Sequence, residues 1–293
     1  MVFVCDGLFS NLREQFTPAS VTHGSKFFGL VMKEAAADLP FPNHGHVLLV
    51  KPTPTLIYPI SHSGDVRILI DVPEPVPKQS ELKDYFLKVT APQLPESLLP
   101  IFLRALESEA VFRSMPCGKL HSDPIFRPGA MMLGDGFNVR HPLTGGGMTV
   151  AFNDVWLLTE ALQHVKSFRE DLSSLQAQFF EDRKALAAQI NILAQALYEV
   201  FSNDLLAEAC IKYFLLGGEA VAGPMSLLGG LKSSPSTLVA HFFAVALWGT
   251  ATNVTNSFRI LYDATSIILP LMQGEHLLPS WSRPSRNKVQ AKL

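Results

Sequence analysis

The stretch LGDGFNVRHPLTGGGMTVAFND, Leu133 to Asp154, constrains this chain more than any other. It opens with an acid after a glycine, Gly134-Asp135, crosses a turn-rich segment, and reaches three consecutive glycines, Gly145 to Gly147. Such a triplet weakens any regular element, because glycine loses the most backbone entropy and packs no side chain. It suits a loop on which a flat ligand lies against bare backbone. A helical pattern begins at Met148. Its free N–H groups and positive dipole end would face the electron-rich part of such a ligand. A carboxylate at Asp135, just after an apolar strand, suits sugar-like hydroxyls. Each piece alone fits something plainer: the Gly-Asp pair a turn or helix cap, the triplet a flexible turn.

Around this stretch the chain reads as α+β. Val2 to Cys5 is a short apolar run ended by Asp6-Gly7, which predicts a buried strand. FFGLVMK, HVLLVKP, TLIYPIS and VRILIDV, between Phe27 and Val72, are β-branched and aromatic runs separated by turn residues, and predict an antiparallel meander. Helical spacing runs from Glu81 to Glu107, interrupted by Pro92, Pro95 and Pro100. AMMLGD, Ala130 to Asp135, predicts a second buried strand. A helix follows the glycines to about His164, and another fits Leu172 to Phe201.

Composition narrows the class. Hydrophobic residues make up 47% of the 293 and charged residues 17%, with 20 Phe. That is apolar for a chain wholly in water and points to a lipid-facing part. A net charge of -2 gives no case for nucleic acid. Cys5, Cys117 and Cys210 are far apart with no CxxC, so the expectation is reduced thiols in the interior and no metal site. LVAHFFAVALW, Leu238 to Trp248, spans about 16 Å as a helix, against a bilayer core of roughly 30 Å. Ile260 to Met272 carries Asp263 and Pro270. Both suit the membrane interface or a protein core better than a full crossing. The tail, with Trp281, Arg283, Arg286, Lys288 and Lys292 and no acid, suits an anionic membrane surface.

HPLTGGGMTVAF, with the Gly-Asp pair before it, resembles the C-terminal flavin motif of the squalene epoxidase (squalene monooxygenase) family. VCDGLFSNLR, with Asp6, Gly7 and Arg13, resembles that family's second dinucleotide-domain motif. TLIYPIS, RSMP, NILAQALYEVFS, YFLLGGEAVAGP and HFFAVA resemble family segments in the same order. The resemblance implies a partial FAD-dependent monooxygenase fold of the para-hydroxybenzoate-hydroxylase type, with an antiparallel substrate-domain sheet and C-terminal membrane-associated helices. It implies residues 1–21 and 108–166 as FAD-binding domain, 22–107 as substrate domain and 167–293 as a helical membrane region. Asp135 and Met148 would contact FAD, with Gly134 beside them, and Gly145, Gly146 and Gly147 would face the isoalloxazine. Leu49, Tyr58, Phe201, Ile211, Phe214, Pro224, Leu227 and His241 would line a squalene pocket, although Ile211 stands where an aromatic is expected. No catalytic side chain is named.

The implied activity is epoxidation of squalene to (S)-2,3-oxidosqualene in sterol biosynthesis. It would use O2 and electrons from an NADPH-dependent reductase, at the endoplasmic reticulum membrane. The family also begins with a GxGxxG loop for the FAD pyrophosphate. None occurs here, so the chain is expected to correspond to the C-terminal portion. The alternative is a catalytically inactive, membrane-bound squalene- or sterol-binding fragment or paralogue. Residues alone leave both open, since pocket and core need the same apolar side chains.

Overall fold

A computed structural model describes residues 1–167 and 172–277. The basic tail positions from Trp281 to Lys292 lie outside the described residues. Architecture is α+β, with two sheets and a C-terminal group of helices.

The larger sheet has five antiparallel strands: β2 (Thr22–Met32), β3 (His46–Leu48), β4 (Thr55–Pro59), β5 (Val66–Pro73) and β6 (Ser114–Lys119). Their order is β3-β4-β5-β2-β6. The expected meander is therefore only partly correct. β3, β4 and β5 follow in sequence, but β2 pairs with β5 and β6 rather than β3. Matching buried faces decides this. Phe28 sits opposite Ile70, Leu30 opposite Ile68 and Met32 opposite Val66, so alternate residues of both strands share one apolar face. Two helices cover that face, α2 (Gln79–Tyr85) and α3 (Leu99–Ser108), through Leu82, Phe102 and Leu106.

The smaller sheet pairs β1 (Val2–Val4) with β7 (Ala130–Met132) in parallel. Burial corrects one expectation here. Met131 and Met132 are buried, but Val2 and Phe3 are exposed, because Leu158, Leu175 and Phe179, from the helices after the glycine triplet, pack on β7 whereas these two residues of β1 have no such cover. Cys5, just after β1, is exposed too, against the expected interior thiol, while Cys117 and Cys210 are buried. A short helix, α1 (Arg13–Phe16), packs Phe16 against this sheet.

The helices after the glycine triplet are α4 (Gly147–Gln163) and the 31-residue α5 (Leu172–Ser202). They lead to α6 (Asp204–Phe214), α7 (Glu219–Leu228), α8 (Pro235–Thr252) and α9 (Ser257–Gly274). Local chemistry sets the starts. Asn203 accepts from the N–H groups of Leu205 and Leu206 to cap α6. Ser234 caps α8 ahead of Pro235, whose missing N–H costs nothing in a first turn. Among the described residues no helix is long and apolar enough to cross a membrane.

Candidate functional site

β7 delivers the chain to a 3-10 turn at Gly134–Gly136, where Gly134 takes φ +67 and leaves Asp135 exposed. A second such turn, Pro142–Thr144, ends at Gly145 with φ +66, a left-handed conformation that glycine adopts without penalty. Gly145 and Gly147 have open space where a Cβ would project, and Met148 beside them is 67% exposed. Gly146 differs: a Cβ there would lie 2.4 Å from Ile190 Cγ2, so this glycine lets the loop close onto α5. No side chain caps the start of α4, which leaves its first-turn N–H groups facing outward with the dipole's positive end. Gly134, Asp135, Gly145, Gly147 and Met148 are thus accessible on the surface, and Gly146 is a packing residue.

Register places a polar cluster on the other face of the large sheet. Ser25 sits opposite Cys117, and Phe27 opposite Asp71. Against them lies His141, from the segment just before the glycines, stacked on Tyr198 of α5 at 4.1 Å between ring centroids. His141 Nδ1 accepts the Leu143 N–H at 3.2 Å. Its Nε2 therefore carries the proton and faces Ser25 Oγ at 3.4 Å and Asp71 Oδ2 at 3.9 Å.

Burial shapes the titration of the whole cluster. It holds the His141 imidazole down to about 4 and pushes the Cys117 thiol up to about 12, with Asp71 adding to the latter. It also raises the Asp71 carboxyl, which Ser25, Tyr198 and Cys117 pull back only in part. Asp71, Cys117 and His141 bring their donor atoms within 4.8 Å of one another. The tautomer argues against a metal there: a metal-bound imidazole donates its other N–H, whereas His141 Nδ1 accepts one. The thiol is held protonated as well. Sequence reading did not anticipate this cluster, because its members come from five separate segments: β2, β5, β6, the stretch before the glycines and α5.

A second buried network lies behind the glycine turn. Arg183 of α5 grips Asp154 of α4 with bonds of 2.9 and 2.8 Å. Arg140 donates to the Asn138 carbonyl and side chain at 2.9 and 2.8 Å, and to the Gly147 carbonyl at 3.3 Å. Burial, with Arg183 close by, lowers the Arg140 guanidinium to about 10.

The helices line an apolar pocket of about 60 Å³ between α5, α6, α7, α8 and α9. Of the residues expected to line a pocket, Phe214, Pro224, Leu227 and His241 do so. Phe201 packs in the adjoining core cluster, and Ile211 faces outward at 42% exposure. Leu49 directly follows β3 and Tyr58 lies on β4 of the large sheet, and neither is in this lining. Lys51, two residues past Leu49, pairs with Asp204 and brings that segment beside the start of α6. His241 Nδ1 meets the Tyr213 hydroxyl at 2.8 Å, and its ring leaves no room for a Cβ at Gly223.

A sequence model of the squalene epoxidase family matches residues 1–267. The chain belongs to the squalene epoxidase family. It is 41% identical to squalene epoxidase 3 of Arabidopsis thaliana over 94% of its own length and 55% of that protein. It is 39% identical to squalene monooxygenase of Mus musculus, covering 94% of this chain and 50% of that one. The chain thus spans about half the length of the curated relatives it matches. Among solved structures, Klebsiella pneumoniae HpxO complexed with FAD and uric acid superposes with a TM-score of 0.65 at 15% identity, over 80% of this chain and 60% of that one. The flavin-dependent brominase Bmp2 gives 0.58 at 14%, over 84% and 62%. At such identities these two show the fold, that of FAD-dependent monooxygenases. The squalene epoxidase match takes in both sheets, the glycine turn and the cavity-forming helices, and ends before Glu275.

Proposed function

We propose that this chain forms the flavin-facing and squalene-binding part of an FAD-dependent squalene monooxygenase. The observation that carries the proposal is the open glycine turn, in a chain of this family that also holds an apolar pocket among its helices. The residues fit the cofactor. Gly145 and Gly147 have the bare backbone that a planar ring needs, and α4 presents uncapped N–H groups beside them. Exposed Asp135 suits the ribityl hydroxyls, with Met148 and Gly134 alongside and Gly146 closing the turn. FAD, when bound, supplies the oxygen activation. The chain's own part is to hold the ring's pyrimidine end by the helix dipole and to keep water from a fixed alkene. Phe214, Pro224, Leu227 and His241 would form the squalene site, with Phe201, Ile211, Leu49 and Tyr58 at its approaches. Residues 1–21 and 108–166 would serve the cofactor, 22–107 the substrate and 167–293 the membrane, with β6 crossing into the substrate sheet.

The partners in this reading are O2, an NADPH-dependent reductase and the endoplasmic reticulum membrane. A second reading has a specific observation in its favour. The apolar pocket is lined entirely by residues of α5 to α9, whereas the glycine turn lies open. That suits a squalene- or sterol-binding protein that does no chemistry. Purification in detergent with FAD, followed by gel filtration and visible absorbance, separates the two. Retained flavin, and oxidosqualene formed with reductase and NADPH, is expected for the first. Squalene retained without flavin selects the second.

A further inference from the structure

Two guanidinium groups are buried behind the glycine turn, Arg183 at 2% exposure and Arg140 at 9%. Asp154 balances Arg183 directly. Among the described residues no carboxylate lies within 4 Å of Arg140, whose bonds all go to neutral oxygens: Asn138, Gly146 and Gly147. A buried cation with only neutral acceptors is costly, so a balancing charge is needed nearby; Asp135 and Asp154 act on Arg140 from beyond 4 Å, but Asp135 is exposed to water and Asp154 is already bound to Arg183. The hydrogen bonds lead to one. Asn138 Oδ1, which accepts from Arg140, also accepts from Asn191 Nδ2 at 3.2 Å. The same Asn191 amide nitrogen donates to Glu275 Oε1 at 3.0 Å. Glu275 is 6% exposed, and its Oε1 also meets His121 Nδ1 at 2.6 Å.

We infer that Glu275, at the end of α9, is the carboxylate that balances Arg140 through Asn191 and Asn138, and is thereby a positioning residue for the glycine turn. Two arginines and two carboxylates, Asp154 and Glu275, then close the buried charge. The two protons of the Asn191 amide, one to Asn138 and one to Glu275, are what join the last helix to the turn. The end of α9 is itself fixed: a Cβ at Gly274 would come within 3.0 Å of the His121 ring. The turn's position therefore depends on where the C-terminal helices sit. This residue lies beyond the span matched by the family. Only the consequence for a cofactor rests on the turn being flavin-facing.

Amide hydrogen exchange on the full chain without added cofactor tests the assignment separately from flavin retention. Glu275→Gln keeps shape and removes charge. It is expected to speed exchange at Gly145–Val150 by about tenfold or more while the β2 and β5 amides hold. In an Arg140→Met background the same change should alter turn exchange less than twofold, since no cation remains to balance. An equal effect in both backgrounds, or an unchanged turn, overturns the assignment. If Glu275→Gln alone does not fold, recovery of folding by Arg140→Met supports the pairing. Failure of both chains to fold overturns it.

Discussion

His141 is held by contacts on every side of its ring: Leu143 at one nitrogen, Ser25 and Asp71 at the other, Tyr198 on its face and Phe27 at its edge. Burial keeps its imidazole down to about 4, whereas an unfolded histidine titrates near ~6.5. Between those values the unfolded chain binds a proton that the folded chain refuses. Stability from His141 is therefore full above about pH 6.5 and is lost as the pH falls toward 4, by about 3 kcal/mol in all. Asp71 works in the opposite sense. Its raised carboxyl makes the folded chain keep a proton that the unfolded chain releases, so it costs stability as the pH rises past 3.8. That contribution is common to wild type and a His141→Gln variant and largely cancels in their difference. Urea unfolding from pH 4 to 7 should show the two stability curves diverging in slope by about 2–3 kcal/mol over the window. Parallel curves would mean that His141 is protonated as easily folded as unfolded.

Between elements, the closest approach at the site is α4 against α5 at Gly146 and Ile190. Gly146→Ala places a methyl 2.4 Å from Ile190 Cγ2, inside any tolerable contact, and is expected to cost about 1–3 kcal/mol. Pairing it with Ile190→Ala, which removes that Cγ2, should return part of the loss, because residues in contact are not additive. Thermal unfolding of the two singles and the double decides it. Purely additive costs would show that the contact is not what limits this turn. The glycine triplet itself could be read from letters, as could the strands around Phe28, Ile57 and Ile68, because alternation with period two is a local signal. Pairing was not legible. β2 skips β3 for β5, and β6 (SMPCGK) carries Pro and Gly without alternation, so nothing in it announces a strand. The Asp71 cluster and the Arg140 network were hidden for a related reason: they join residues up to 116 and 84 positions apart, brought together by strand register in the first and by helix packing in the second.

For the molecule as a whole, the open question of physical chemistry is what its apolar surface meets. Val254, Phe258 and Tyr262 follow one another at helical spacing from the end of α8 into α9, at 77, 84 and 65% exposure. Phe258 and Tyr262 stack on each other, so they present one continuous apolar ridge to the outside. At 18 residues each, α8 and α9 are about 27 Å long, short of a bilayer core of roughly 30 Å. A ridge on helices too short to cross is the form that suits seating in the interface, with the apolar side immersed and Arg259 and Asp263 beside it toward the headgroups. Such seating would also open a lateral route for a long polyene into the cavity between α5 and α8. The test is flotation with neutral phosphatidylcholine vesicles, which removes any contribution from a basic segment. The wild-type chain should float. Phe258→Glu with Tyr262→Glu should reduce the floated fraction by about fivefold or more. Its melting temperature should stay within about 2 °C, since neither side chain is buried. If the double variant floats as well as the wild type, this ridge is not the membrane contact, and the apolar helices serve only the pocket they line.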